Sequence, residues 1–182
     1  MDAEPALGIL KQVAAERGLP APVKEIGSGS EGIVFSTTDP AQVCRVGTKD
    51  RIMDLLEWQH SGAVVKVFYA EPMMALDTDG TETKVFVSWQ EFVDDNVEGY
   101  IYKKYKGDEV TEQKISRALC GLYDTHFAPG GGGLDRRIKV LKQFEETSHL
   151  AEALEEGLPT NDLSLESNLG VTADGRVVAY DL

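Results

Sequence analysis

The sequence predicts an α+β protein: a five-stranded antiparallel sheet with one inserted helix, followed by a mainly helical second half. Three observations carry that expectation. β-rich runs crowd residues 23–93, helix-spaced apolar residues dominate from about 110 to 154, and a last short hairpin closes the 182-residue chain. Strands and helices are segregated rather than alternating, which argues for two lobes and against βαβ units.

Taken in order, Pro5 suits a first helical turn, and Leu7, Leu10, Val13 and Ala14 recur at helical spacing until Gly18, Pro20 and Pro22 stop the helix. Glu25-Ile26 and Ile33-Val34-Phe35 read as strands flanking a glycine-rich turn. Val43 to Val46 forms a third strand after the Asp39-Pro40 turn, and Asp50 to His60 a short helix with Ile52, Leu55 and Leu56 apolar. Val64 to Tyr69 and Val85 to Trp89 complete the five, with the hairpin signal Asp77-Thr78-Asp79-Gly80 between them. Further on, Ile115, Leu119 and Leu122 place a helix over about 110–125, and Gly130 to Gly133 break the chain after Pro129. One longer helix follows, capped by Asp135, with Ile138, Leu141, Phe144, Leu150 and Leu154 inward until Gly157 and Pro159. The tail turns at Asp174-Gly175. The implied division is 1–22 (helix and linker), 23–93 (sheet lobe) and 94–182 (helical lobe).

Composition narrows the classes of function. A hydrophobic fraction of 42% and a charged fraction of 27% are ordinary for a folded chain. A net charge of −13 speaks against nucleic acid as a partner, since phosphate contacts need dense Lys and Arg. No apolar run approaches the roughly 20 residues of a membrane span, so no membrane partner is expected. Cys44 and Cys120 lack CxxC spacing and fit buried thiols of a reducing compartment, and with no signal-peptide pattern at Met1 to Pro5 the expected location is cytoplasmic. Acids in short bursts, such as Asp94-Asp95 and Glu155-Glu156, read as solvated surface. An acidic inhibitor acting by charge alone is the competing class, and neutralising those acids would abolish its activity.

The chemistry starts at Gly27-Ser28-Gly29-Ser30-Glu31-Gly32-Ile33-Val34. A GxGxxG serves a dinucleotide loop, a phosphate-covering loop, or a plain glycine-rich hairpin. The dinucleotide form requires a following helix, whereas Ile33 to Thr38 is β-rich. Strand, glycine loop and strand, with Val34 two places beyond the third glycine, resembles the loop that covers ATP phosphates in the protein-kinase-like superfamily. Asn161-Asp162-Leu163, Asn168, and Val177 to Asp181 resemble that family's catalytic loop and metal-binding strand, with thirteen residues from Asn168 to Asp181. Val43-Cys44-Arg45-Val46 is similar to its third strand, and Trp89-Gln90-Glu91-Phe92-Val93 to its hinge, with Gln90 as gatekeeper.

The resemblance spans about 23–182. It implies an abbreviated protein-kinase-like fold with a nucleotide cleft, and ATP and Mg²⁺ as cofactors. Gly27, Ser28, Gly29, Ser30, Glu31, Gly32, Val34 and Arg45 would hold ATP, with Glu91 and Val93 at the adenine. Asn168 and Asp181 would hold Mg²⁺, and Asp162 and Arg45 would be catalytic. Four departures accompany it. Arg45 stands where the family has Lys. No Glu sits at the place of its acidic partner, for which Asp54, then Glu57, is the choice. Asp162 precedes Asn168 by six residues, not the usual five, with Thr160-Asn161 in place of His-Arg. The sequence ends at Asp181-Leu182, before the lower-lobe elements, which leaves three alternatives: a naturally short protein, a piece of a longer one, or a domain completed by a protein partner. Two activities follow as expectations: an ATP/Mg²⁺-dependent phosphotransferase, or a pseudokinase that binds a protein without turnover.

Overall fold

The computed structural model describes residues 2–29, 32–47, 51–76, 80–120, 122, 132–160, 163 and 168–180. The chain is α+β and divides into two compact units: residues 1–53 with 66–92, and residues 54–65 with 93–182.

The first unit holds helix α1 (Ala3–Arg17) and strands β1 (Pro22–Gly29), β2 (Gly32–Thr37), β3 (Gln42–Gly47), β4 (Val67–Leu76) and β5 (Glu82–Glu91). The five strands form one sheet in the order β1-β2-β3-β5-β4, every neighbouring pair antiparallel. Helix α1 ends at Gly18, whose left-handed φ of 66° lets its N–H reach Ala14 O while Leu19 N–H bonds the same oxygen. Its buried Ala6, Leu10, Val13 and Ala14 share one apolar cluster with Ile33, Phe35, Cys44, Val46, Val87 and Trp89. Trp89 fastens the linker by donating its indole N–H to Pro20 O at 2.9 Å, and Arg17 pairs with Glu71 of β4 at 3.0 Å. Cys44 lies wholly within this core, and burial pushes its thiol up to about 12, which makes it inert at neutral pH.

Two expectations shift here. The fourth strand begins at Val67, not Val64, and runs on through Pro72 to Leu76. Val64-Val65 is diverted: Val65 N–H bonds Ala179 O at 2.9 Å, and Ala179 N–H bonds Ala63 O at 2.8 Å. Pro72 is tolerated because β4 is an edge strand, where a missing donor breaks no second ladder. The hairpin predicted over Asp77 to Asp79 lies outside the described residues; Gly80 beside it has a φ of 81°.

The second unit holds α3 (Val97–Lys104), α4 (Glu109–Cys120), α5 (Gly132–Leu141), α6 (Glu145–Glu156) and a hairpin of β6 (Leu169–Val171) and β7 (Val177–Ala179). Helix α2 (Arg51–Trp58), continued by a 3₁₀ turn over Gln59–Ser61, contains the division between Met53 and Asp54. Helix α3 lies between the elements expected from the sequence. It is started by Asn96, whose side chain accepts from Gly99 N–H at 2.9 Å.

The single helix expected after Asp135 is two helices. Phe144 is extended (φ −124°, ψ 131°), and Thr147 Oγ1 donates to Leu141 O at 2.7 Å, closing the bend between α5 and α6. Apolar periodicity survives the bend because Leu141 and Phe144 are three apart, so the break leaves no trace in the pattern. Helix α4 ends at Cys120, with Ala118 and Leu119 inward and Cys120 itself exposed, contrary to the buried thiol expected there.

One buried charge ties α3 to α6. Glu146, 4% exposed, accepts from Tyr105 OH at 2.7 Å and Lys104 Nζ at 2.9 Å, and the Tyr105 ring meets Phe144 edge-on at 6.0 Å. Burial alone would raise the Glu146 carboxyl, but the bonds from Tyr105 and Lys104 outweigh it and hold it below the usual glutamate range. A depressed carboxylate contributes stability above its unfolded-state pKa and loses it as pH falls through the folded value. Glu146→Gln is expected to cost about 1–3 kcal/mol at pH 7 and to flatten the acid limb of the urea midpoint against pH. An acid limb identical to wild type would contradict this.

Candidate functional site

Register decides which side chains share a face of the sheet. Gly27 is paired with Val34, Val34 with Arg45, and Arg45 with Ser88, one unbroken row across β1, β2, β3 and β5. Side chains alternate along a strand. Ile33, Phe35, Cys44, Val46, Val87 and Trp89 belong to the cluster with α1, so Val34, Arg45 and Ser88 occupy the opposite face. Val34 and Arg45 are half-buried there. Ser88 and Gln90 are buried on the same face, and Gln90 Nε2 donates to Ser88 Oγ at 2.9 Å. Ser88 was not anticipated; the signal for it is the pair of polar residues at alternate positions, Ser88 and Gln90, on either side of the apolar Trp89.

The glycines of the motif have different reasons to be glycine. A Cβ on Gly32 would lie 2.6 Å from Val46 O, so the ladder to β3 itself excludes a side chain. Gly27 and Gly29 are extended and have nothing within 4 Å of a Cβ position, so packing does not demand glycine at either. The main chain at these two glycines is therefore open to approach, as a contact with a phosphate group would require. Ser28 lies between them in β1 and pairs with Ile33. Ser30 and Glu31 lie outside the described residues.

Glu91 closes β5, where its N–H donates to Lys66 O at 2.8 Å and its carboxylate accepts from Lys66 N–H at 3.3 Å. Phe92 N–H is likewise used, by Ala41 O at 2.8 Å. The Glu91 N–H therefore serves the sheet.

In the second unit, Asn168 is the one non-glycine among the described residues with positive φ, 63°. Asn and Asp enter that region more readily than other side chains. The carbonyl of Asn168 accepts from Tyr180 N–H at 3.0 Å, at the open end of the β6–β7 hairpin. Val93 lies beside that hairpin, and a Cβ on Gly170 would meet the Val93 side chain at 2.5 Å. Asp94 exchanges two main-chain bonds with Val171, at 2.9 and 2.8 Å. Among the described residues neither main-chain group of Val93 finds a hydrogen-bond partner. Asp162 and Asp181 lie outside the described residues, and Asp54 and Glu57 are exposed on α2.

The register thus brings Gly27, Val34 and Arg45 together in one unit, and Val93 and Asn168 beside one hairpin in the other. A carboxamide oxygen such as that of Asn168 is a hard donor of the kind Mg²⁺ accepts. Among the described residues no cluster of three or more His, Cys, Asp or Glu is arranged around a metal position. No described helix is long and apolar enough to cross a membrane.

The sheet and helices define an α+β class of fold, with a helix between the third and fourth strands. No protein-family model matches the chain, and no curated protein matches it. Among solved structures it is similar to a MAP kinase from Leishmania major, with 11% identity and a TM-score of 0.48 over 97% of this chain and 50% of that one. The chain spans about half the length of that kinase.

The glycines separate structure from chemistry experimentally. Gly32→Ala is expected to destabilise the chain by about 1–3 kcal/mol, since main chain must move to admit the methyl. Gly27→Ala should stay within about 0.5 kcal/mol of wild type. Equal losses in chemical denaturation would refute the distinction.

Proposed function

We propose that the chain is a kinase-like nucleotide-binding protein, of ATP- and Mg²⁺-dependent phosphotransferase ancestry. The row Gly27–Val34–Arg45 carries the reading. It sets an uncovered glycine strand, an apolar side chain and a fixed cation across adjacent strands on one face. In this reading the main chain of Gly27 to Gly32 receives phosphate oxygens, Val34 covers the base, and the Arg45 guanidinium pairs with phosphate. The Glu91 carbonyl and the Val93 N–H address the adenine edge. Asn168 and Asp181 supply oxygen ligands to Mg²⁺, which when bound neutralises phosphate charge. Asp162 orients the acceptor hydroxyl and takes its proton.

A second reading, a pseudokinase that binds nucleotide or a protein partner without turnover, is favoured by Arg45 itself. A planar guanidinium on a longer stem does not replace an ammonium at a tight phosphate contact.

Thermal unfolding with ATP, with and without Mg²⁺, tests the shared claim. At about 100 times Kd, ligand binding stabilises by about 2.7 kcal/mol, or roughly 5–11 °C for a chain of this size. Arg45→Ala is expected to remove most of that rise, and Asn168→Ala only its Mg²⁺-dependent part. No rise with ATP at any Mg²⁺ concentration refutes nucleotide binding. Transfer from γ-labelled ATP that Asp162→Ala abolishes selects the enzyme, and a rise without transfer selects the pseudokinase.

A further inference from the structure

We infer that Tyr100 and Arg176 are positioning residues, which set the attitude of the β6–β7 hairpin and through it Asn168 and the segment leading to Asp181. This rests on the metal-ligand reading of those two residues. Strands of three residues are too short to hold a hairpin by themselves in water. Its shape must be imposed from outside. Along its edges the hairpin is bonded to Ala63 and Val65 through Ala179, and to Asp94 through Val171. Those bonds fix the strands laterally and leave the turn to be held separately.

The turn is held from two sides. Tyr100 on α3 donates its phenol O–H to Gly175 O at 3.1 Å. Gly175 has a φ of 88°, and a Cβ there would stand 2.6 Å from the Tyr100 oxygen. The phenol therefore sits in the space that glycine vacates. From the other side Arg176 donates Nη1–H to Gly62 O at 3.0 Å and Nε–H to Asp174 Oδ2 at 2.9 Å, joining the turn to the segment after α2. Tyr100 is itself restrained, with the Lys104 ammonium 5.8 Å from its ring centre and that ammonium engaged by Glu146.

Leverage makes this clamp matter to a ligand. At about 3.3 Å per residue the turn stands roughly 10 Å from Asn168, so a tilt of about 10° moves the open end by about 2 Å. Magnesium demands near-ideal octahedral geometry at about 2.0–2.1 Å and does not tolerate such a shift. Residues that orient metal ligands commonly change affinity by about 10- to 100-fold when altered.

The test titrates Mg²⁺ at fixed ATP in the full chain and reads the midpoint of the thermal response. Tyr100→Phe is expected to raise that midpoint about 10-fold, with the response to metal-free ATP unchanged. Tyr105→Phe, five residues on at the C-terminal cap of the same helix but bonded to Glu146 instead, is expected to leave the midpoint at the wild-type value. Should Tyr100→Phe not fold, Arg176→Met carries the same expectation and the same refutation. A midpoint within about twofold of wild type, or an equal rise in Tyr105→Phe, overturns the positioning role while the metal reading stands. A wild-type response to ATP that ignores Mg²⁺ overturns the metal reading, and this inference with it.

Discussion

Burial of the apolar stripe of α1 against one face of the sheet is the constraint on which the first unit depends. Leu10 and Val13 are almost without exposure, as are Phe35, Cys44 and Trp89 from the strands beneath. A strand that commits alternate residues to a core has no choice about the residues between them. The helix thereby decides, without touching them, that Val34 and Arg45 look away from it. A slip of one residue in β3 would bury the guanidinium among Leu10, Phe35 and Trp89 and expose Cys44 and Val46, losing apolar burial on two residues and stranding a charge. Register is therefore specified by core energetics, and the chemistry of the opposite face is inherited from it.

The hairpin of the second unit obeys a different logic. Its three-residue strands contribute little area, so close approach does the work that packing does elsewhere. Gly170 admits the Val93 side chain and Gly175 admits the Tyr100 phenol, each at a distance no Cβ could share. Asn168 takes the left-handed conformation at the end of β6 and still offers its carbonyl to Tyr180. Glycine and asparagine here are conditions for bringing separate segments together, and their chemical use, if any, is added on top.

Much of this was legible in the sequence because the signals were local. Helix α1 announced itself through spacing and a glycine stop, and five strands through β-branched runs divided by turns. The failures have identifiable physical causes, one a partner distant in sequence and the others local hydrogen bonds that apolar patterning does not record. Val64-Val65 has strand composition and spends it on Ala179. Residues 97–104 fall between the elements expected from the sequence, and the Asn96 cap starts them as α3, where Ile101 is buried. The bend at Phe144 depends on a hydroxyl three residues later reaching back to Leu141. For the site, the motif picked out Gly27, Val34 and Arg45 in order along the chain, but only the ladder makes them one row. The sequence could not separate Gly32, required by Val46 O, from Gly27 and Gly29, which nothing in the packing requires. Tyr100 and Arg176 carried no signal, since a tyrosine on a helix and an arginine in a turn are ordinary surface residues until Gly175 and Gly62 are beside them.

Under the proposed kinase-like reading, a guanidinium at Arg45 in place of an ammonium bears on which half of a phosphotransfer reaction the chain could retain. Guanidinium stays charged at any physiological pH and presents a fork of donors, so its attraction for a polyphosphate is undiminished. What it lacks is compactness: a lysine places a point charge at one oxygen, whereas the fork seeks two acceptors in its own plane. Binding tolerates that change, because many phosphate orientations satisfy a bidentate donor. In-line transfer does not, because a displacement of about 1 Å at the reacting groups costs about a hundredfold in rate. Under the proposed reading the same residue would favour retention of nucleotide and penalise turnover, and this asymmetry would keep a binding function and a catalytic one experimentally distinct.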